Sequence, residues 1–334
     1  MNSTNSTTAY KDAGVDIDKG NEFVQNIKQS VESTYNEHVI GQHGNFGGQY
    51  QFYDNTLVVS TDGVGTKGIL VKQHTGNYYN CGHDIVNHCI NDILVQGGTP
   101  LFFLDYIASS SIQVNDSTSF VKGCCDACKK VGCVLLGGET AEMPSVYQDG
   151  HIDMVGTIVG EKTIHIDLHG VRDGDIAIGF ASSGPQTNGY TLIRKIIDDA
   201  SLMSPTQSPS TELMDIFTTP HGSFLEHVQC LQRFCIITGM CHITGGGLTE
   251  NIKRIIPSHL YLPSIDTIIL PEWCKWLQTH GNISIDEMKK VFNCGIGFIT
   301  FVRPSDIQTI DHIMKSIPQY LQPIPLGTLC PIPT

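Results

Sequence analysis

Short apolar runs closed by glycine or polar turns alternate along this chain with stretches whose apolar residues recur every three to four positions. The first pattern predicts strands and the second predicts helices packed on one face. Leu57-Val58-Val59 reads as a buried strand, with strand residues before it from Gln49. Further strands are expected over 101–107, 134–136, 153–161, 176–180 and 298–302. Phe23, Val24, Ile27 and Val31 share a face of a helix that Asp18 or Asn21 would cap. Ile85, Val86, Cys89, Ile90, Ile93 and Leu94 mark a long helix that starts at Cys81 and ends at Gly97-Gly98. Other helices are expected over 117–130 with Ser117 as cap, 190–199, 273–281, 285–292 and 306–317. Helical segments are also expected up to Gly239, and another helix after Gly245-Gly246-Gly247. The polar opening at 1–8 has no period and is expected to be disordered.

Composition narrows this picture. The 334 residues suffice for two domains, and turn chemistry around Arg172-Asp173-Gly174-Asp175 places the division at 1–168 and 169–334. A net charge of -13 argues against a nucleic-acid or acidic-membrane surface but leaves a small anionic substrate open. Twelve cysteines are scattered, and the one C-x-x-C, Cys125 to Cys128, falls in a helical stretch where packing is the expected role. With no signal peptide and no long apolar segment, reduced thiols and a cytoplasmic location are expected.

Candidate chemistry gathers at a few loops. Ser60-Thr61-Asp62-Gly63-Val64-Gly65-Thr66-Lys67 puts an acid, two glycines and a lysine directly after a strand. Asp62 would hold a hard cation through oxygen, Lys67 would offer charge to phosphate, and the glycines would bring backbone N–H groups close. The pattern is not a Walker A loop. Asn91 and Asp92 sit beside the buried side of an apolar helix, so Asp92 is either a hydrogen-bonding core residue or a metal ligand. Gly137-Gly138-Glu139 repeats the strand, glycine, acid order. Ser182 to Gly189, between a strand and a helix, is either an anion site or a plain loop and cap.

Together these stretches resemble the aminoimidazole ribonucleotide synthetase family, the phosphoribosylformylglycinamidine cyclo-ligases. The resemblance runs from Tyr10 to about Val302 through YKDAGVDID, STDGVGTK, NDILVQGGTPLFFLDYIA, GGETAEMP, SSGP, NGY, HITGGGLTEN and FNCGIGF. It implies an α/β (α+β) fold of two domains, with mixed sheets and flanking helices, that binds ATP and pairs as a homodimer. It implies ring closure of formylglycinamidine ribonucleotide with ATP: the formamide oxygen is phosphorylated, and the substrate amine then displaces phosphate. Carried over by position, Asp62, Asp92 and Glu139 would be associated with Mg2+. Gly63, Gly65, Thr66, Lys67, Lys28, Asn91 and Gly138 would belong to the nucleotide site. His242 would be an acid/base group at a glycine-rich helix start that disfavours its protonated form. Ser183, Gly184, Gln186, Asn188, Gly245 and Gly246 would line the substrate site. No nucleic-acid or membrane partner is implied.

One departure stands out. The family usually reads SSGPHSNGY, whereas Gln186 and Thr187 occupy the centre of that motif here. Glutamine hydrogen bonds but does not titrate near neutrality, so any proton-carrying role of the usual histidine must move elsewhere. The loop between Lys28 and Gln49 is also shorter than usual. Among relatives of this superfamily, formylglycinamidine ribonucleotide synthetase lacks its glutaminase partner here. A selenophosphate synthetase would want a cysteine near the N-terminus, and the first is Cys81. A non-catalytic homologue would be supported by Gln186 alone.

Overall fold

The computed structural model describes residues 9–304, 321 and 323–332. The expected disorder at 1–8 and the expected helix over 306–317 lie outside the described residues. The chain starts with α1 (Ala9–Asp12) and α2 (Ile17–Glu32), then β1 (Val39–Ile40), β2 (Gly48–Phe52) and β3 (Asn55–Gly63). Asp16, not Asp18 or Asn21, caps α2 by accepting the Lys19 N–H. The apolar face of α2 stays outside the core, with Phe23 62% exposed.

Next come α3 (Lys67–Thr75), α4 (Tyr79–Val95), β4 (Gly98–Ser109), α5 (Val114–Val131), β5 (Val134–Glu142) and β6 (Ile152–Lys162). Gln113 rather than Ser117 precedes α5 as its cap. The six strands form one sheet in the order β1-β2-β3-β6-β4-β5. Its β4–β5 pair is parallel and every other pair is antiparallel. Helix α4 lies on this sheet, crossed by α5 at a contact that has no room for side chains. A β-carbon on Gly82 would strike the Phe120 carbonyl, and one on Gly123 the Tyr79 carbonyl.

The second half holds β7 (Ile176–Ala181), α6 (Tyr190–Met203), α7 (Thr211–Thr218), α8 (Leu225–Leu231), β8 (Ile237–His242), α9 (Gly247–Lys253) and β9 (Leu260–Tyr261). It ends with α10 (Glu272–His280), α11 (Ile285–Val291), β10 (Ile296–Val302), β11 (Ile324–Thr328) and β12 (Cys330–Pro331). An antiparallel sheet runs β11-β7-β10-β8, and β12 pairs with β9. Strand β8 replaces the helix expected up to Gly239. Every one of its residues is buried, so it shows no alternation that would separate it from a buried helix.

The two sheets share apolar packing. Val58, Ile90, Phe103 and Ile158 belong to the same buried cluster as Phe180, Phe224, Met240 and Phe298. A second cluster, including Ile193, Phe217, Trp273 and Phe301, fills the rest of the second half. Cys124 and Cys128 are buried free thiols of the first cluster, which is the packing role expected for that stretch.

Candidate functional site

Helix α4 carries a polar stripe through an otherwise apolar interior. Asp84, His88, Asn91 and Asp92 recur at helical spacing and are all buried. Buried polar groups are costly unless bonded, and each of these has partners from the second half of the chain. Lys67 Nζ donates to Asp84 Oδ1 at 2.7 Å and to the Thr219 carbonyl at 2.8 Å. The His221 N–H also donates to Asp84 Oδ1. Asn91 accepts the Phe224 N–H at 2.9 Å and donates to the Gly222 carbonyl at 2.8 Å. Asn80 and Asn87 hold the carbonyls of Thr218 and His221. The segment from Thr218 to Phe224 is thereby strapped along α4.

His242, the last residue of β8, meets this stripe from the other sheet. Its Nδ1 stands 2.8 Å from Asp92 Oδ1, and its Nε2 stands 3.1 Å from His221 Nε2. Ser60 donates to Asp92 Oδ2 at 3.1 Å. His88 Nε2 lies 2.9 Å from Asp62 Oδ2 and 3.6 Å from Asp92 Oδ2, while its Nδ1 bonds Thr187 Oγ1 at 2.8 Å. One imidazole therefore bridges the two carboxylates that the sequence singled out.

The electrostatics follow from this packing. Burial opposes charge on Asp62, but the charge and hydrogen bond of His88, helped by the Gly63 N–H, hold its carboxyl at about 2. Burial lifts Asp92 to about 7, against the pull of His88 and with a push from Asp62. For His88, burial acts downward, yet the two carboxylates outweigh it and raise the imidazole to about 9. Burial and then the neighbouring imidazoles drive His221 well below the ordinary histidine range. His242 is lowered for the same two reasons. The direction for His242 matches the sequence expectation but the cause differs. Its residue ends a strand, and α9 begins only at Gly247.

Other expected site residues fall in several places. Asp62 and Gly63 belong to β3, which stays paired with β6 through Gly63–Val155, so no glycine loop forms there. The turn comes at Val64-Gly65-Thr66, where Gly65 has φ +64° and Thr66 Oγ1 meets Thr191 Oγ1 at 3.1 Å. Lys67 is wholly buried in its pair with Asp84 and does not reach toward solvent as a phosphate contact would. Lys28 sits half-exposed on α2, 3.8 Å from Glu32.

Gly138 and Glu139 lie within β5, extended against Asp105 and Tyr106 of β4. A β-carbon on Gly138 would strike the Asp105 carboxylate, so close strand packing accounts for that glycine. Glu139 is exposed and accepts the adjacent Thr140 N–H. Among the described residues, the carboxylate group that could hold an ion contains Asp62 and Asp92 with His88, and not Glu139.

These residues fit magnesium in a limited way. Mg2+ takes one or two protein carboxylates and completes its shell with water and phosphate. The Asp62 side chain, 43% exposed, suits that role. Asp92 has Oδ1 engaged by His242 and Oδ2 by Ser60, so its oxygens are already used.

The loop 182–189 lies beside the 244–247 turn. Ser183 donates to the Pro220 carbonyl, and the Gly184 carbonyl accepts from Asn293. A β-carbon on Gly245 would rest 3.5 Å from Asn188 Oδ1, and Gly246 precedes α9 with φ +92°. Gln186 is buried with φ +64°, and neither atom of its amide has a hydrogen-bond partner. A buried amide without partners at a left-handed backbone position is uncommon.

Sequence reasoning missed His88 and His221. His88 had a legible signal, since it stands four residues before Asp92 on the same helical stripe. His221 lies in an irregular segment without periodicity, and only tertiary packing brings it to His242.

The comparisons agree with this architecture. The model of the AIR synthase related protein N-terminal domain matches residues 47–162, and that of the C-terminal domain matches 172–319. A phosphoribosylformylglycinamidine cyclo-ligase of Xanthomonas oryzae pv. oryzae is 43% identical over 320 residues, covering 92% of this chain and 93% of its own. One from Burkholderia lata is 41% identical over 305 residues, covering 89% and 87%. Among solved structures, thiamine monophosphate kinase from Aquifex aeolicus aligns with TM-score 0.59 and 14% identity, covering 93% and 94%. The hydrogenase maturation protein HypE of E. coli aligns with TM-score 0.57 and 11% identity, covering 93% and 92%. At such identities the structures speak for the fold alone. The sequence matches go further, and this chain belongs to the AIR synthase related protein family.

Proposed function

We propose that this chain catalyses the ATP-dependent closure of formylglycinamidine ribonucleotide to aminoimidazole ribonucleotide, with release of ADP and phosphate. The observation that carries this reading is the buried Asp92–His242 pair at 2.8 Å, set beside the half-exposed Asp62. The identity to cyclo-ligases over nearly the whole chain supports it.

The chemistry needs phosphate charge neutralised, two ligands aligned and a proton moved. Asp62 would hold the magnesium of Mg–ATP, which supplies charge neutralisation at the phosphates. Asp92 would act through His242 by fixing its ring, and His242 would take or return the proton of ring closure. Gln186 and Asn188, with Ser183, Gly184, Gly245 and Gly246 around them, would receive the substrate. The unpaired amide of Gln186 supports that assignment. Lys67 would steady the site from beneath, through Asp84 and the 218–224 strap.

The same proposal includes two domains at 1–168 and 169–334, a homodimer and a cytoplasmic location. The dimer is supported by β5, a sheet-edge strand whose Val134 and Leu136 are exposed. None of the described helices is long and apolar enough to cross a membrane. The test is ATP hydrolysis by the purified protein with and without formylglycinamidine ribonucleotide, with the nucleotide product identified by mass. Hydrolysis that ignores the ribonucleotide, or no ring-closed product, would overturn the reading.

A further inference from the structure

We propose that His88, His221 and His242 form a binding site for a zinc-class divalent ion (Zn2+, Co2+ or Ni2+), separate in chemistry from the oxygen site of magnesium. One ring nitrogen from each of the three lies within 4.8 Å of the others, and all three side chains are buried. Three convergent imidazoles in a buried setting are a donor set for borderline ions, whereas Mg2+ prefers oxygen.

Hydrogen bonds outside the cluster set the direction of the rings. His221 Nδ1 lies 2.8 Å from the Gly222 carbonyl, which only accepts, and 3.4 Å from the Asn91 amide nitrogen; the shorter contact assigns the proton to Nδ1 and leaves Nε2 its lone pair. His242 Nδ1 faces an Asp92 carboxylate oxygen at 2.8 Å, and when that carboxylate is ionised it fixes the same tautomer. The two Nε2 lone pairs then point at each other across 3.1 Å. That arrangement is repulsive unless a cation lies between them.

An ion with Zn–N bonds of about 2.0–2.1 Å and tetrahedral angles separates its nitrogens by roughly 3.3 Å, close to the 3.1 Å between the His221 and His242 nitrogens. His88 closes the set by giving up the contacts of its Nε2 with Asp62 at 2.9 Å and Asp92 at 3.6 Å, while its Nδ1 stays with Thr187. Carbonyl, carboxylate and hydroxyl partners on the outer ring nitrogens are the usual surroundings of metal-binding histidines. A cavity of about 670 Å³ reaches the cluster at His221, with Tyr79, Asn87, Pro220 and Gly222 also in its wall. A proton shared between His221 and His242, with Asp92 protonated, is the rival way to remove the repulsion.

Bound there, the ion would take the His242 Nε2 out of proton traffic, a consequence that rests on the proposed role of His242. The binding test does not rest on it. The full-length protein is titrated with Co2+ in excess Mg2+, read by visible absorption and calorimetry. The expected result is one equivalent with the strong visible bands of a four-coordinate ion and no thiolate charge-transfer band. His221→Phe, which keeps a buried ring, should weaken binding by roughly a hundredfold or more. His88→Leu should do the same and serves if His221→Phe does not fold, with circular dichroism as the check. Three results would each overturn the site. One is absence of a tight equivalent. A second is a spectrum with sulfur ligation from Cys125, Cys230 or Cys330. The third is unchanged binding in both folded variants.

Discussion

The smallest scale at which this chain commits to chemistry is a set of side chains whose charges are fixed by their neighbours. His242→Gln should cut turnover by roughly 10²–10⁴-fold, the usual contribution of general acid–base catalysis, while leaving the fold intact. Steady-state rates with both substrates saturating are the measurement. An unchanged rate would make His242 structural.

Lys67 separates two readings more sharply. A phosphate-binding lysine would lose ATP affinity on substitution and keep its stability. A buried ion pair instead leaves Asp84 uncompensated, so Lys67→Met should cost about 3–5 kcal/mol of stability. Chemical denaturation of Lys67→Met and of Lys67→Met/Asp84→Leu checks this, and the double variant should regain part of the loss.

His88 makes a prediction in pH. Its folded value of about 9 lies above the unfolded value near ~6.5. Its stabilising contribution is therefore complete below about 6.5 and lost as pH rises through about 9. Unfolding free energies measured across that window should decline at the alkaline end in the parent. His88→Gln should remove this part of the decline.

At the level of elements, the crossing of α4 and α5 depends on two glycines, because each β-carbon would meet a backbone carbonyl that has nowhere to move. Gly123→Ala should cost about 1–3 kcal/mol or more through overpacking, visible as a lower thermal midpoint. Gly132→Ala is a control for added side-chain volume, since nothing lies near its β-carbon. Its φ of +70° still imposes a backbone penalty. A loss in Gly123→Ala no larger than in Gly132→Ala would show that the crossing tolerates a methyl group. The strap from Thr218 to Phe224 belongs to this scale too, since α4 asparagines hold a segment that has no secondary structure beyond the end of α7 at Thr218.

For the whole molecule, the two halves are joined by one apolar cluster and by the Asp92–His242 contact between α4 and β8. The proposed dimer adds a further level. Leu136 is 63% exposed on an edge strand, an arrangement that invites pairing with a second chain. Light scattering at micromolar concentration should report twice the 36.5 kDa chain mass, and Leu136→Lys should return the single-chain value. A single-chain mass for the parent would remove the dimer from the proposal.

Local order was legible in the residues themselves. The apolar periodicity of α4, its end ahead of Gly97 and the strand at 57–59 all depend on neighbours close in the chain, and these features appear where the pattern placed them. Asp62, Asp92 and His242 were legible through motif order, and packing brings them together. Of their partners, His88 had a signal in its helical spacing to Asp92 and His221 had none. Strand β8 is buried on both faces and lost its alternation, and Gly137-Gly138 read as a loop until β4 extended it by parallel pairing. Lys67 could be assigned a phosphate or a partner only once Asp84, seventeen residues away, was known to face it without water. His221 needed the second sheet to reach His242 at all. The short-range code sets elements and the supply of chemical groups. Which of those groups are charged, paired or left to meet a ligand is decided by desolvation and contact across the chain, and only the tertiary structure contains both.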